Sequence, residues 1–514
     1  MRSTFYGFEI SKSGLSYNQK ALDVTAHNVA NAETKGYVRQ RTVGTSVAPS
    51  INMSQLANLT GNKVGAGVNL IDIVGVRDTF LDRQFRKENS IYAEWQVKAE
   101  TLSFAEDILR EPSDTGINAI LNQFFNNLEE LSKNVGSKDI RTSFMEQAVR
   151  LTETIRFKAS ALEDIQKEMD FRLEKSVAQV NEYIKNIAAL NEQIARFESN
   201  GLRANDLRDK RDLLLDQLSE YVGIQYREET VDGKDVLKVN MTIKDETGTE
   251  REIALIDHDK YFTFGTYHKT LPDGSKDFFH SLYIQDPSSG TVIDGVNATE
   301  IGSFSSGKLK GYMDMRDGDS EDNKGIPYYI RQLDTFVENF VEKFNEVHRS
   351  GWSYPNLSEG VLSQTGIDFF DPNGLTASTM RVNDAIVKNV YNIAGSSEEV
   401  NQLINSGNNE NILSLLELRD GKNVLGSFDF EEYLRSVSVD LGTQAAYANN
   451  MEENEGTVLA GIDYKRQSVS GVDMDEEMTN MIRYEKAYQA SARLMTALDE
   501  MLEILINKTG LVGR

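Results

Sequence analysis

At 514 residues the chain is long enough for about three or four domains, each with its own core. A net charge of −25 and a pI near 4.8 exclude nucleic acid as a natural partner, because phosphate binding demands a basic face. With no cysteine, disulfides, thiolate metal sites and a cysteine nucleophile are excluded. No run approaches the roughly 20 apolar residues that a membrane span requires.

The opening stretch, MRSTFYGFEISKSGLSYNQK, has no continuous apolar core and does not read as a Sec-type signal peptide. The expectation from these facts alone is a soluble, cytoplasmic chain, with export by a route that reads no cleavable signal left open. Phe8, Leu15, Leu22 and Val29 recur at intervals of seven, with Ala21 and Ala26 beside them, and predict a helix with one apolar face. The flanking positions, such as Asn18 and Thr25, are thin, so this seam is weak alone. Asn31 and Gly36 tolerate left-handed backbone, so the helix should end in the segment ANAETKGY.

Segment 64–76 alternates with β-branched residues and predicts a short strand. A helix follows over about 91–110, with Trp95, Ala99, Leu102 and Leu109 on one face, and Pro112 bars its extension. Another is expected over 118–134, carrying Leu121, Phe124, Phe125, Leu128 and Leu131. Between Gly136 and Gly201 there is neither Gly nor Pro. Ile155, Leu162 and Met169, then Leu173, Val177, Val180, Ile184, Ile187 and Ile194, keep one face apolar. Even ~50 helical residues would make a rod of about 75 Å, so the architecture should be elongated.

From Gly223 the period changes to two. Leu237, Val239, Met241 and Ile243 alternate with Lys238, Asn240 and Thr242, and turns are expected at Asp232-Gly233, Asp273-Gly274 and 287–290. Helical pattern returns over 328–348 with Leu333, Val337, Phe340, Val341 and Phe344. Segment 352–430 is mixed and loop-rich, and helices resume after it. The seven prolines avoid the first 48 and last 142 residues, which leaves both ends free to be helical.

The ending is the most regular stretch. Met474, Met481, Tyr488, Met495 and Leu502 fall at strict sevens, and Tyr484, Leu498 and Leu505 form a second row that Ser491 interrupts. Asp475, Glu476 and Glu477 crowd its start, where the helix dipole favours carboxylates. Such a face needs a partner, and the seam at the other terminus supplies one. The expected fold is mainly α with an inserted β domain. It is an elongated, multidomain chain whose N- and C-terminal helices pair as a coiled coil around a long helical-bundle middle. The expected divisions are 1–40 with 470–514; 41–222 with 303–351 and 431–469; an inserted β domain, 223–302; and a mixed insert, 352–430.

Candidate chemistry is sparse. The five histidines, at 27, 258, 268, 280 and 348, show no metal-binding spacing. The acidic run 316–323 resembles a calcium loop in charge density but lacks glycine at the sixth loop position and the terminal Glu, so a solvated loop is the reading. No phosphate-binding glycine loop or nucleophile elbow is present. No cofactor, metal or catalytic group is assigned, and the chain does not read as an enzyme.

The segment 21–37, ALDVTAHNVANAETKGY, resembles the N-terminal motif of bacterial flagellar rod, hook and hook-associated axial proteins. Many relatives have Pro where this chain has Lys35. The ending, SGVDMDEE at 470–477 and RYEKAYQASA at 483–492, resembles the version carried by the hook-associated proteins of the first hook–filament junction. NDLRDKRDLLLDQLS at 205–219, GKLKGYMDMRD at 307–317, Ile326-Pro327 and FNEVH at 344–348 are similar to signatures of the same group. The likeness is thinnest over the β insert and 352–430.

This resemblance implies a structural ring of about eleven subunits between hook and filament, with paired terminal helices lining the axial channel. It implies contacts with the hook protein and the second junction protein. It also implies export unfolded by the flagellar type III route, without a cleaved signal, to an extracellular place on the flagellum. Self-assembly would fall on Phe8, Leu15, Leu22, Val29, Asn28, Asn31, Gly36, Tyr37, Met481, Tyr484, Tyr488, Leu498 and Leu505. An export chaperone would hold the last helix through Met474, Met481, Met495 and Leu502, since Met adapts to more than one partner. Another axial protein (second junction protein or hook protein) is the alternative, and a secreted enzyme with axial-type anchors is a more distant one.

Overall fold

The computed structural model describes residues 6–47, 65–110, 116–199, 201–231, 234–244, 248–270, 272, 275–285, 299–356, 361–401, 405–419, 421 and 428–508. The turns expected at Asp232-Gly233, Asp273-Gly274 and 287–290 lie outside the described residues.

Helix α1 (Tyr6–Ala30) leads into a ribbon of β1 (Gln40–Ser46) and β2 (Val68–Gly75). Helices α2 (Thr79–Leu109), α3 (Ile117–Lys133), α4 (Lys138–Glu198) and α5 (Asn205–Tyr221) follow. The β-rich stretch holds β3 (Ile224–Val231), β4 (Lys234–Lys244), β5 (Glu250–Asp257), β6 (Lys260–Tyr261), β7 (Thr263–Thr270), β8 (Lys276–Gln285), β9 (Thr299–Ile301) and β10 (Ser303–Phe304). After α6 (Lys308–Asp317) and α7 (Ile326–Ser350) come the short β11 (Trp352–Ser353), α8 (Asp384–Lys388), β12 (Ala394–Ser396) and α9 (Glu410–Glu417). The long α10 (Phe430–Ser470) and α11 (Met474–Lys508) complete the chain.

The 61 residues of α4 rise about 90 Å at 1.5 Å each and form the spine. Ile155, Leu162, Met169, Leu173, Val177, Val180, Ile184, Ile187 and Ile194 are all buried along it. The molecule exposes 27,899 Å², against roughly 19,000 Å² for a compact monomer of this mass. The excess reflects elongation.

Helix α2 begins at Thr79, about three turns before the start near 91 that the apolar pattern predicts. Its start at Thr79 is capped by the Asp78 carboxylate, which accepts from the Phe80 amide at 2.9 Å. The first turns bury Asp82 and Arg86, which are charged and paired. Apolar periodicity starts only later, so a helix start near 91 was the reading the pattern allowed.

In the insert β4 is central: it pairs antiparallel with β3 along its length, with β5 on the other edge, and with β10 at its end. Leu237, Val239, Met241 and Ile243 of β4 are all buried, as their alternation predicts. A separate antiparallel sheet runs β7–β8–β9. At the opposite end of the spine, Phe124, Phe144, Phe340, Phe344, Phe369, Phe370 and Phe430 form one dry aromatic cluster, none more than 1% exposed. It joins α3, α4, α7 and α10 to the 352–430 segment.

Candidate functional site: the terminal helix pair and its joint

Helices α1 and α11 lie antiparallel, and small residues set their spacing. A Cβ on Gly7 would come within 2.8 Å of Leu498 Cδ1, and one on Gly14 within 3.0 Å of Ser491 Oγ. Asn28 Nδ2 donates to Glu477 Oε2 at 3.0 Å. The row Gly7, Gly14, Ala21, Asn28 therefore runs opposite Leu498, Ser491, Tyr484, Glu477. Ser491, which breaks the apolar row in sequence, is the small residue that a close approach at Gly14 demands.

The predicted residues divide by exposure. Phe8, Leu15, Leu22 and Val29 on α1 are half-buried, as are Met481, Tyr484, Met495, Leu498 and Leu502 on α11. Met474, Tyr488 and Leu505 are exposed. A further apolar set on α11 that sequence reading passed over, Met478, Ile482, Leu494, Met501 and Ile504, also faces outward. Its positions do not keep one heptad phase, which is why it gave no periodic signal.

The joint below the pair is built around Asn28, which is 1% exposed. Its amide donates to Gln40 O at 2.8 Å and to Glu477, while its oxygen accepts from the Gln40 amide at 2.9 Å and the Tyr37 hydroxyl at 2.7 Å. Every hydrogen-bonding valence of the side chain is used. Arg39 Nε donates to Glu477 at 2.7 Å and its Nη1 to Glu476 at 2.9 Å, while its backbone amide bonds Ser470 O at 2.9 Å. Asn31 closes the end of α1 by donating to His27 O at 3.0 Å and accepting from Thr34 Oγ1 at 3.3 Å. Asp473 caps α11 by accepting from the Asp475 amide at 2.9 Å. Gly36 has φ +82° and packs over Leu213, where a side chain would be strained and crowded.

Helix α5 receives the joint. The Val38 amide donates to Asp209 Oδ2 at 3.0 Å, and Gln40 Nε2 to Asp206 Oδ1 at 2.8 Å. Three motifs remote in sequence, 21–37, 205–219 and 470–477, thus meet at one place. A cleft of about 930 Å³ opens between them, lined by Lys35, Gly36, Leu213, Gly471 and Asp473. Burial, with help from Asp212 and Asp206, pushes the Asp209 carboxyl up to about 7. Burial also raises the Tyr37 hydroxyl above its usual range, with Asp206 and Asp209 adding to it.

Behind the joint, arginines and aspartates stitch α2, α5 and α10 together. Arg77 bonds Asp82 at 2.6 Å and also pairs with Asp212; Arg86 bonds Asp216 at 2.7 Å and Asp212 at 3.2 Å. Arg466 reaches Asp216 at 2.6 Å and stacks 3.9 Å over the Phe85 ring. Burial alone would raise Asp212, but Arg77 and Arg86 hold it below the ordinary carboxylate range. This arrangement fixes geometry; it presents no nucleophile beside a base, and its charges neutralise one another.

Residues 102–370 match the flagellar hook-associated protein FlgK helical domain. Residues 8–37 match the flagella basal body rod protein family, and 466–508 the flagellar basal body rod FlgEFG protein C-terminal family. Flagellar hook-associated protein 1 of Bacillus subtilis is 33% identical over 538 aligned residues, covering 100% of both chains. The chain belongs to the flagellar hook-associated protein 1 family. The relatives of that name from Salmonella typhimurium and Escherichia coli are 23% and 24% identical, each covering 96% of this chain and 98% of theirs. The solved flagellar hook junction protein FlgK from Burkholderia pseudomallei shares the fold at a TM-score of 0.59 and 13% identity, covering 76% of this chain and 100% of its own. As a hook-associated protein 1, the chain is a structural component of the flagellum at the hook–filament junction. Among the described residues, no helix is long and apolar enough to cross a membrane.

Proposed function

We propose that this hook-associated protein 1 forms a closed ring, of about eleven copies by resemblance to its family, through the outward face of the terminal helix pair. The observation that carries this reading is on α11. Met478, Ile482, Leu494, Met501, Ile504 and Leu505 are between 47% and 55% exposed along one 35-residue helix. Water-exposed apolar area of this extent marks a surface that a neighbour covers. The paired termini line the axial channel, 41–222 with 303–351 and 431–469 form the body, 223–302 is an insert carried on it, and 352–430 is an insert that shares its aromatic core. Hook protein and the second junction protein are the neighbours above and below.

Before assembly the chain travels unfolded by the flagellar type III route, and an export chaperone holds α11 through Met474, Met481, Met495 and Leu502. Three of these, Met481, Met495 and Leu502, are half-buried while α1 is the element packed along α11. Chaperone and α1 therefore compete for one face, and release of the chaperone lets the pair close. The test is Leu22→Asp or Leu502→Asp in cells, with removal of 474–514 as the chaperone control. Folded, secreted protein with no filament growth is the expected result, together with loss of chaperone co-purification on truncation. Normal filaments on cells carrying either substitution would sink the reading.

A further inference from the structure

The β7–β8–β9 sheet carries a histidine pair that the junction role does not use. His268 on β7 and His280 on β8 are directly opposed in the antiparallel register. Their rings lie 4.3 Å apart between centroids, tilted by 40°. Each imidazole is held by its Nδ1. That of His280 lies 2.7 Å from Asp170 Oδ2 on α4, and that of His268 lies 3.0 Å from Asp277 O. A carbonyl and an ionised carboxylate only accept, so both Nδ1 atoms carry the proton and both Nε2 atoms present lone pairs in the neutral rings. Neither Nε2 has a hydrogen-bond partner among the described residues.

We infer that His268 and His280 form a two-imidazole site for a borderline divalent cation of the zinc, copper and nickel group. Metal-binding histidines are typically fixed in this way, with the distal nitrogen bonded to a carboxylate or a backbone carbonyl. The spacing is close to what a chelate needs. Two imidazoles sharing one tetrahedral ion at metal–nitrogen bonds of about 2.1 Å have centroids roughly 5.3 Å apart, so the exposed His268 ring must swing outward by about 1 Å to complete the chelate. Asp170 is itself rigid: it accepts from the His280 amide at 3.0 Å and from Arg316 Nη1 at 2.5 Å. Because no third His, Cys, Asp or Glu joins the pair among the described residues, water completes the shell. The ion would pin β7, β8 and α4 together. Sequence spacing carries no sign of it, because positions 268 and 280 become neighbours only through strand register.

The test is titration of the full-length protein with Zn²⁺ by calorimetry, and with Cu²⁺ followed by electron paramagnetic resonance. One ion per chain is expected, with nitrogen hyperfine structure from two imidazoles. His268→Ala, a change at an exposed position that leaves the fold intact, should weaken affinity at least tenfold and reduce the signal to one nitrogen. The double variant with His280→Ala should remove the site. Absence of binding at millimolar Zn²⁺, or unchanged affinity in the double variant, would overturn the proposal.

Discussion

The two ends of the helical body are built on opposite principles. At the aromatic end, a cluster of phenylalanines closes an apolar core with ring centroids 4.9–6.4 Å apart, and the buried His348 and Arg141 serve backbone groups there. At the joint, the buried groups are mostly charged, and they hold three remote motifs together by directed bonds. The aromatic end is finished within one chain. The joint carries a helix pair whose outer face is still exposed, so its geometry must be fixed by something other than enclosure. Directional hydrogen bonds and ion pairs set an angle better than apolar contact does, because they fail when the angle is wrong.

The largest expected effect separates the two regions by stability. Phe340→Ala, in the middle of the aromatic cluster, should cost about 3–5 kcal/mol in denaturant unfolding of the monomer. Leu498→Ala at the half-buried helix pair should cost less than about 1 kcal/mol in the same assay. Equal losses would mean that the pair is as enclosed in the monomer as the core is.

Acid should act on the two ends in opposite directions. His348 donates through Nδ1 to Ile367 O at 2.8 Å and accepts the Ala394 amide at Nε2, so it is bound as the neutral ring. Burial, with Arg141 nearby, lowers it to about 4. Its unfolded value is near 6.5, so its contribution of about 3 kcal/mol is complete above pH 6.5 and is lost as pH falls toward 4. Asp209 is the reverse case. Its folded value near 7 lies above the unfolded carboxylate range, so the folded state binds the extra proton and stability from this group falls as pH rises from about 4 to 7. Amide protection factors, corrected for the intrinsic pH dependence of exchange, should therefore fall at Ala394 and rise at Val38 from pH 7 to 5. Asp209→Asn should abolish the second trend alone. Parallel behaviour of the two amides would break the comparison.

A smaller and more local effect is expected at Asn28. Asn28→Ala leaves the Gln40 backbone, the Tyr37 hydroxyl and part of Glu477 without partners, a loss of about 2–3 kcal/mol. It should appear as faster exchange at residues 37–40 and the start of α11, with protection in α4 unchanged. Loss of protection throughout α4 would show that joint and body unfold as one unit.

Much of this architecture was legible in the chain. The buried row of α4, the alternation of β4 and the seven-residue period of α11 are apolar patterns, and burial follows them because removal of apolar area from water is additive and non-directional. The motif 21–37 announced a helix end and a turn through Asn and Gly. The tertiary structure decided what the pattern could not encode: that Gly7 and Gly14 set the approach of α11, that α2 starts on buried Asp82 and Arg86, and that β1 pairs β2. It also decided that Asn28, Asp209 and Glu477 share one joint, and that His268 faces His280. Those features rest on single directed contacts between residues far apart in sequence. Such contacts have no period, and only the folded chain brings their partners within reach.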